Sequence, residues 1–121
     1  MAKKPKKPKK LTKKKLKKLE KREVNRQFKE WAEVARASGH NECAICKSTV
    51  NIQIHHIIPR QVKEFRFDQN NAIILCVLHH KFSNQISPHK NPFVFFLWLR
   101  DNRPVQFDYL EKQIKNLEEK R

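Results

Sequence analysis

Apolar residues recur at helical spacing near the start and the end of the chain, and between those stretches the period changes. From Thr12 to Ala37 there is no Pro or Gly, and Leu16, Leu19, Val24, Phe28, Trp31 and Ala35 fall three to five residues apart, which predicts one long helix. Gly39, the only glycine, is expected to close it in the left-handed conformation. Val50 to Ile58, where Ile52 and Ile54 alternate with polar neighbours, and Ala72 to Leu75 read as short strands. Pro59 ends the first, and the polar connection from Arg60 to Asn71 is longer than a tight hairpin. Val77 to Ile86 reads as a short helix stopped by Ser87 and Pro88. Asn91 and Pro92 form an N-cap and first-turn proline pair, opening a helix whose Phe93, Phe95, Phe96, Trp98 and Leu99 are expected in the core rather than in a base-stacking platform. Arg103 and Pro104 break that helix, and residues 105–119 supply a last one with Leu110, Ile114 and Leu117 on one face. The expected class is α+β, in the order α, β, β, α, α, α.

Composition changes this picture in two ways. With 121 residues, 38% hydrophobic, and a mean hydropathy of -0.84, the chain fits one domain whose small core needs help from a metal or a partner. Its charge is also lopsided: 28 Lys and Arg stand against 12 Asp and Glu, and residues 1–22 alone hold 13 basic groups and one acid, Glu20. Residues 1–11 are read as a disordered lysine-rich tail, residues 12–39 as a basic helix, and residues 40–121 as the folded domain. Such an arm neutralises phosphates and releases counterions, so DNA is the expected partner, with Lys13, Lys14, Lys17 and Lys18 as contacts. The first turns of the helix are too lysine-rich to be stable alone and are expected to order against DNA. No apolar run approaches 18 residues and the N-terminus carries no secretory pattern, so an intracellular, cytoplasmic setting without a membrane partner is expected.

In a reducing compartment cysteines are more often metal ligands or reactive groups than disulfides, and three of them cannot close into a full set of bridges. Cys43 and Cys46 form a C-x2-C knuckle, and Cys76 is followed at the same spacing by His79. Two-residue gaps let a turn aim both side chains at one ion, so the four residues predict a Cys3His site for a structural zinc. His40 and His80 are rival fourth ligands, though each breaks the symmetry of the two hooks. A closed shell leaves no open position for water, so this ion is expected to support folding rather than chemistry.

Zinc explains neither the pair His55-His56 nor Asn71 nor His80. The run His55-His56-Ile57-Ile58-Pro59, then Asn71 to Cys76, then His79-His80-Lys81, set between two zinc hooks over residues 43–84, resembles the HNH endonuclease signature of small bacteriophage and mobile-element proteins. The resemblance implies a ββα-metal (His-Me finger) core braced by the structural zinc, with the basic helix before it and two helices after it. It implies His55 and His80 as ligands of one catalytic divalent cation and His56 as the general base that activates water. Asn71 would hold the loop and orient that base. Two departures stand out. The family most often ends in C-x2-C-H, whereas Cys76-Val77-Leu78-His79-His80 puts histidine in place of the fourth cysteine, and Asn84 stands where colicin-type members often carry another histidine. On a helix His79 and His80 diverge by about 100 degrees and can serve different ions, while Asn84, one turn beyond His80, is either a weaker ligand of the second ion or a solvent-facing amide.

Imidazole and amide ligands suit Mn²⁺, Ni²⁺, Co²⁺ or Zn²⁺ better than Mg²⁺, although substrate phosphates can recruit Mg²⁺. Arg60, Lys63, Arg66 and Lys81 are candidates to clamp flanking phosphates of duplex or branched DNA. Two other readings compete: a non-catalytic zinc-knuckle module that only binds nucleic acid, which needs the arm and the cysteines alone, and a dimerising coiled coil over residues 12–37, whose apolar repeat is irregular.

Overall fold

The computed structural model describes residues 10–121, and the expected tail lies, over residues 1–9, outside the described residues. The long helix α1 runs Lys13–Ser38, and Thr12 caps it by accepting a hydrogen bond from the Lys15 N–H (3.2 Å). Its first half, through Glu23, is exposed throughout. Burial begins with Val24 and is deepest at Trp31 and Ala35, where α1 lies against the sheet and the loop between the strands.

Gly39 ends α1, but not in the expected conformation. Its φ is -96°, and the left-handed residues are His40 (57°) and Asn41 (52°) beyond it. What demands glycine here is proximity: a Cβ would run into the Ile74 side chain and sit 3.4 Å from the Ala35 carbonyl. The helix end is thus pressed onto the second strand.

Strand β1 (Ile52–His56) pairs antiparallel with β2 (Ala72–Cys76), with Ile52 opposite Cys76 and His56 opposite Ala72. β1 is shorter than the period suggests because Asn51 is left-handed before it (φ 52°) and Ile57 and Ile58 turn away after it to bond Asn71. The fold is α+β with this two-stranded antiparallel sheet. The helix expected over residues 77–86 is a single π turn, Leu78–Phe82, closed by the Ser83 N–H donating to the Leu78 carbonyl (2.7 Å). Asn91 then caps α2 (Pro92–Asn102), accepting from the Val94 N–H (3.3 Å), and one residue later Pro104 opens α3 (Pro104–Glu119).

The core joins Leu75 and Ile73 of the sheet, Ile57, Ile58 and Phe65 of the connection, Phe95 and Leu99 of α2 and Leu110 of α3. Not all of the aromatic run is inside it. Phe95 is fully buried, whereas Phe93 is 72% and Phe96 43% exposed, because an 11-residue helix turns only part of its circumference to the core. Among the described residues no helix is long and apolar enough to cross a membrane.

At Gly39 two effects of opposite sign compete. Alanine is compatible with the backbone there and would stabilise by about 0.4–1 kcal/mol through the unfolded chain. Overpacking against Ile74, which is 5% exposed, costs about 1–3 kcal/mol, so Gly39→Ala is expected to lower stability. Adding Ile74→Val, which removes the obstructing methyl, should recover part of the loss. Urea unfolding of the single and double variants reads both, and a Gly39→Ala protein as stable as the parent would refute the close-approach account.

Candidate metal centres and the histidine pair

Two hooks meet at the lower end of the sheet. Cys43 and Cys46 lie on a tight turn after α1, held by the Cys43 N–H donating to the Ser48 carbonyl (2.8 Å) and the Lys47 N–H to the Cys43 carbonyl (2.9 Å), with Lys47 left-handed. The Ala44 N–H donates to the Ile74 carbonyl (2.8 Å), which fastens this turn beside β2. Cys76 is the last residue of β2, and His79 follows on the π turn. Their donor atoms converge: Cys46 Sγ lies 3.7 Å from Cys76 Sγ, and His79 Nδ1 lies 3.1 Å from Cys76 Sγ and 3.8 Å from Cys43 Sγ. A tetrahedral ion with metal–sulfur bonds near ~2.3 Å needs sulfurs about 3.8 Å apart, so the spacing and the donor chemistry both suit a metal such as zinc. Burial pushes the Cys43 thiol up, but the backbone N–H groups of Cys46, Cys76 and Ile45 outweigh it and leave the group more acidic than usual, which favours the ligating thiolate. Burial raises Cys76. Neither rival fourth ligand joins: His40 is an exposed residue of the α1 exit, and His80 belongs elsewhere.

His80 is the centre of a second cluster. Its Nε2 is 3.0 Å from His55 Nδ1 and 3.0 Å from His89 Nε2, while its Nδ1–H donates to Gln53 Oε1 (2.6 Å). That last bond fixes the ring: with Nδ1 carrying the proton, the Nε2 lone pair faces the other two imidazoles. Ligand nitrogens about 3.0–3.4 Å apart are what a tetrahedral or octahedral ion with bonds near ~2.1 Å requires, so the three rings fit one divalent cation. Burial, with smaller effects from the neighbouring imidazoles, pushes His55 down to about 3, and burial with His89 and Lys81 pushes His80 down to about 4. Both rings are therefore neutral, the form that ligates metal.

His89 has no counterpart in the sequence reading, which placed Asn84 there. The i+4 relation that put Asn84 beside His80 requires an α-helix to continue, and the π turn ends at Phe82. Asn84 is exposed and is tied through its carbonyl, which accepts from Asn91 Nδ2 (3.4 Å). Buried Ser87 supplies the missing link: its hydroxyl donates to the His80 carbonyl (2.6 Å) and accepts from the His89 N–H (3.3 Å), folding the loop back so that His89 faces His80.

His56, next to His55 on β1, projects to the other face of the sheet. Its Nε2–H donates to the Arg66 carbonyl (2.9 Å), and its ring stacks on Trp31 (3.9 Å, 12°) with Phe28 edge-on (5.5 Å). Among the described residues no protein group hydrogen-bonds its Nδ1. Burial lowers His56, helped by the Arg60 charge and opposed by the Arg66 carbonyl. The connection that carries Arg66 is stitched by Asn71, fully buried, whose Oδ1 accepts from the Ile58 N–H (2.6 Å) and whose Nδ2 donates to the carbonyls of Ile58 (2.9 Å) and Phe65 (3.2 Å). Arg60 and Lys63 are exposed, as is Lys81 on the π turn. Arg66 is half-buried, its guanidinium 5.2 Å from the Phe67 ring and 5.9 Å from Phe28. Lys13, Lys14, Lys17 and Lys18 are exposed on α1, and none forms an ion pair among the described residues. A cavity of about 590 Å³ between Gly39, Ile74, Arg103 and Gln106 is lined by none of these groups, which are marked by convergent donors rather than by that pocket.

Comparison with protein-family models, with curated proteins and with solved structures returned no match.

Two measurements address the centres. Cobalt added to the metal-free chain should give the thiolate-to-metal absorption and intense d–d bands of a tetrahedral Cys3His site, and Cys46→Ala should lose them together with cooperative folding; a Cys46→Ala chain with an unchanged spectrum and melting curve would exclude the assignment. For the second centre, Gln53→Ala should weaken Ni²⁺ or Mn²⁺ binding in calorimetric titrations by about 10–100-fold, and His89→Ala by at least as much. If His89→Ala bound as tightly as the parent, the third ring would not be a ligand.

Proposed function

We propose that the protein is a metal-dependent endonuclease of the HNH type that hydrolyses DNA phosphodiester bonds on a zinc-braced ββα-metal core. The observation that carries this reading is the pairing of His55 with His80 across the sheet and π turn, while the adjacent imidazole, His56, is separately oriented with Nδ1 unengaged. One centre built of sulfur suits architecture, and one built of neutral imidazoles alone suits an ion that keeps positions open to substrate.

On this reading His55, His80 and His89 would hold the cation, which would supply charge neutralisation at the phosphate and the leaving oxygen. His56 takes a proton from water at Nδ1; the Arg66 carbonyl, by holding the Nε2 proton, keeps that lone pair on Nδ1. The water oxygen forms a bond to phosphorus, the bond to the 3′ oxygen breaks, and that oxygen leaves with a proton from solvent. Asn71 holds the loop that carries the Arg66 carbonyl. Because His55 and His56 leave β1 on opposite faces, the phosphate belongs at the end of the strand, where His56 is the last residue. Arg60 beside His56, Lys81 beside His80 and the exposed Lys63 of the connection would be partners for flanking phosphates, and the lysines of α1 would supply affinity without sequence readout.

The same placement favours a second reading. With His56 packed under Trp31, away from the three-histidine cluster, the chain also fits a non-catalytic zinc-knuckle module that binds nucleic acid. Plasmid nicking separates the two. Supercoiled DNA with Mg²⁺ or Mn²⁺ should be nicked by the parent, and His56→Ala should retain zinc and DNA binding while cutting about 10²–10⁴ times more slowly. A His56→Ala protein of full activity would remove the base assignment, and a parent that binds but never cuts would select the second reading.

A further inference from the structure

Trp31 lies in α1, outside residues 43–84, yet it makes the closest ring contact to His56. The ring centroids are 3.9 Å apart and the planes 12° from parallel. Trp31 is itself pinned: its Nε1–H donates to the Asp68 carbonyl (2.9 Å), its own carbonyl accepts from Gln69 Nε2 (3.1 Å), and the Asp68 carboxylate accepts from the Tyr109 hydroxyl (2.7 Å). The indole is 5% exposed, so it has no freedom to follow a ring that moves.

A single hydrogen bond leaves an imidazole able to pivot about the axis through that bond. His56 has such a bond, to the Arg66 carbonyl from an Nε2–H that itself lies in the ring plane. The flat indole on one face and the Phe28 edge at 5.5 Å block the pivot. In-plane and out-of-plane restraints thus come from different elements, the inter-strand connection and α1.

We propose that Trp31 is a positioning residue that fixes the His56 ring plane, so that Nδ1 points where the phosphate must sit, and that the second half of α1 is therefore part of the catalytic unit and not a detachable basic arm. The catalytic consequence rests on the nuclease reading; the restraint on the ring does not.

The test uses the full, zinc-loaded chain with Trp31→Leu, which keeps an apolar side chain but no flat face, and Trp31→Phe, which restores a face without the indole N–H. Single-turnover nicking at saturating DNA gives the rate constant, fluorescence anisotropy gives DNA affinity, and ¹⁵N-resolved NMR of the His56 ring reports its tautomer and environment. Trp31→Leu is expected to slow cleavage by about 10–100-fold with DNA affinity within about twofold and zinc content unchanged, since misplacing a reacting group costs rate rather than binding. Trp31→Phe is expected to recover most of the rate. In NMR the parent and Trp31→Phe should show one Nε2-protonated form, and Trp31→Leu a mixture. A Trp31→Leu protein that cuts like the parent with an unaltered His56 spectrum overturns the proposal. So does a loss of rate that tracks loss of zinc and is not rescued by phenylalanine, which would make Trp31 a fold anchor only. If the parent cuts no DNA, the nuclease reading and the catalytic consequence both fail, and the NMR comparison alone decides whether Trp31 holds the ring.

Discussion

Two consecutive imidazoles, His79 and His80, are committed to different clusters, and the rest of the site is arranged around that division. One five-residue turn must deliver His79 to three sulfurs and His80 to two other imidazoles. The π turn achieves this by closing early, from Ser83 back to Leu78, and by leaving the following residues free to fold over it. Ser87 then clasps the His80 carbonyl, and His89 arrives from the far side. Had the segment continued as an α-helix, the face beside His80 would carry Asn84, and the cluster would lose an imidazole.

The sheet repeats this division one residue at a time. His55 and His56 are neighbours in a strand, so the pleat alone sends one to the histidine cluster and the other to α1. Each face then orients its own ring by a bond to the nitrogen that does no further work: Gln53 on His80, the Arg66 carbonyl on His56. The buried amide of Asn71 supports the second arrangement, since all its bonds go to the backbone of the connection from which Arg66 projects. Such an amide, with both ends satisfied inside a small core, holds a loop in one conformation at the risk of strong destabilisation if one partner is lost.

What the sequence made legible was whatever short spacing encodes. The C-x2-C knuckle, the Cys76–His79 hook, the histidine pair and the asparagine are all local patterns: the donors of the two hooks converge as their spacing requires, while the histidine pair is divided between the two faces of the sheet. The parts that were not legible depend on chain reversal. His89 is nine residues from His80 and joins it through Ser87, and Gln53 lies across the sheet. Trp31 is 25 residues from His56, and its periodicity reads equally as helix core. Gly39 was misread for a related reason: a lone glycine after a helix signals a left-handed cap, but here the constraint is the approach of Ile74, a residue 35 positions away. Of the aromatic run in α2, Phe95 is core, and the exposure of Phe93 and Phe96 depends on which side of the helix meets the sheet, which composition does not encode.

The basic arm and the proposed catalytic groups are joined by one continuous helix, and its length assigns their roles. Lys18 and Trp31 are 13 residues apart in α1, about 20 Å at the rise of an α-helix. On the nuclease reading, phosphates held by Lys13, Lys14, Lys17 and Lys18 are then too far from His56 to be the one that reacts. Their attraction, strongly screened by salt, governs how often and how tightly DNA is held. The group beside His56 is subject to a different control, the packing of Trp31 and the Asp68 carbonyl, which salt leaves largely untouched because it is buried and uncharged. On that reading binding and chemistry draw on different stretches of the same helix, one tunable by charge and the other by shape.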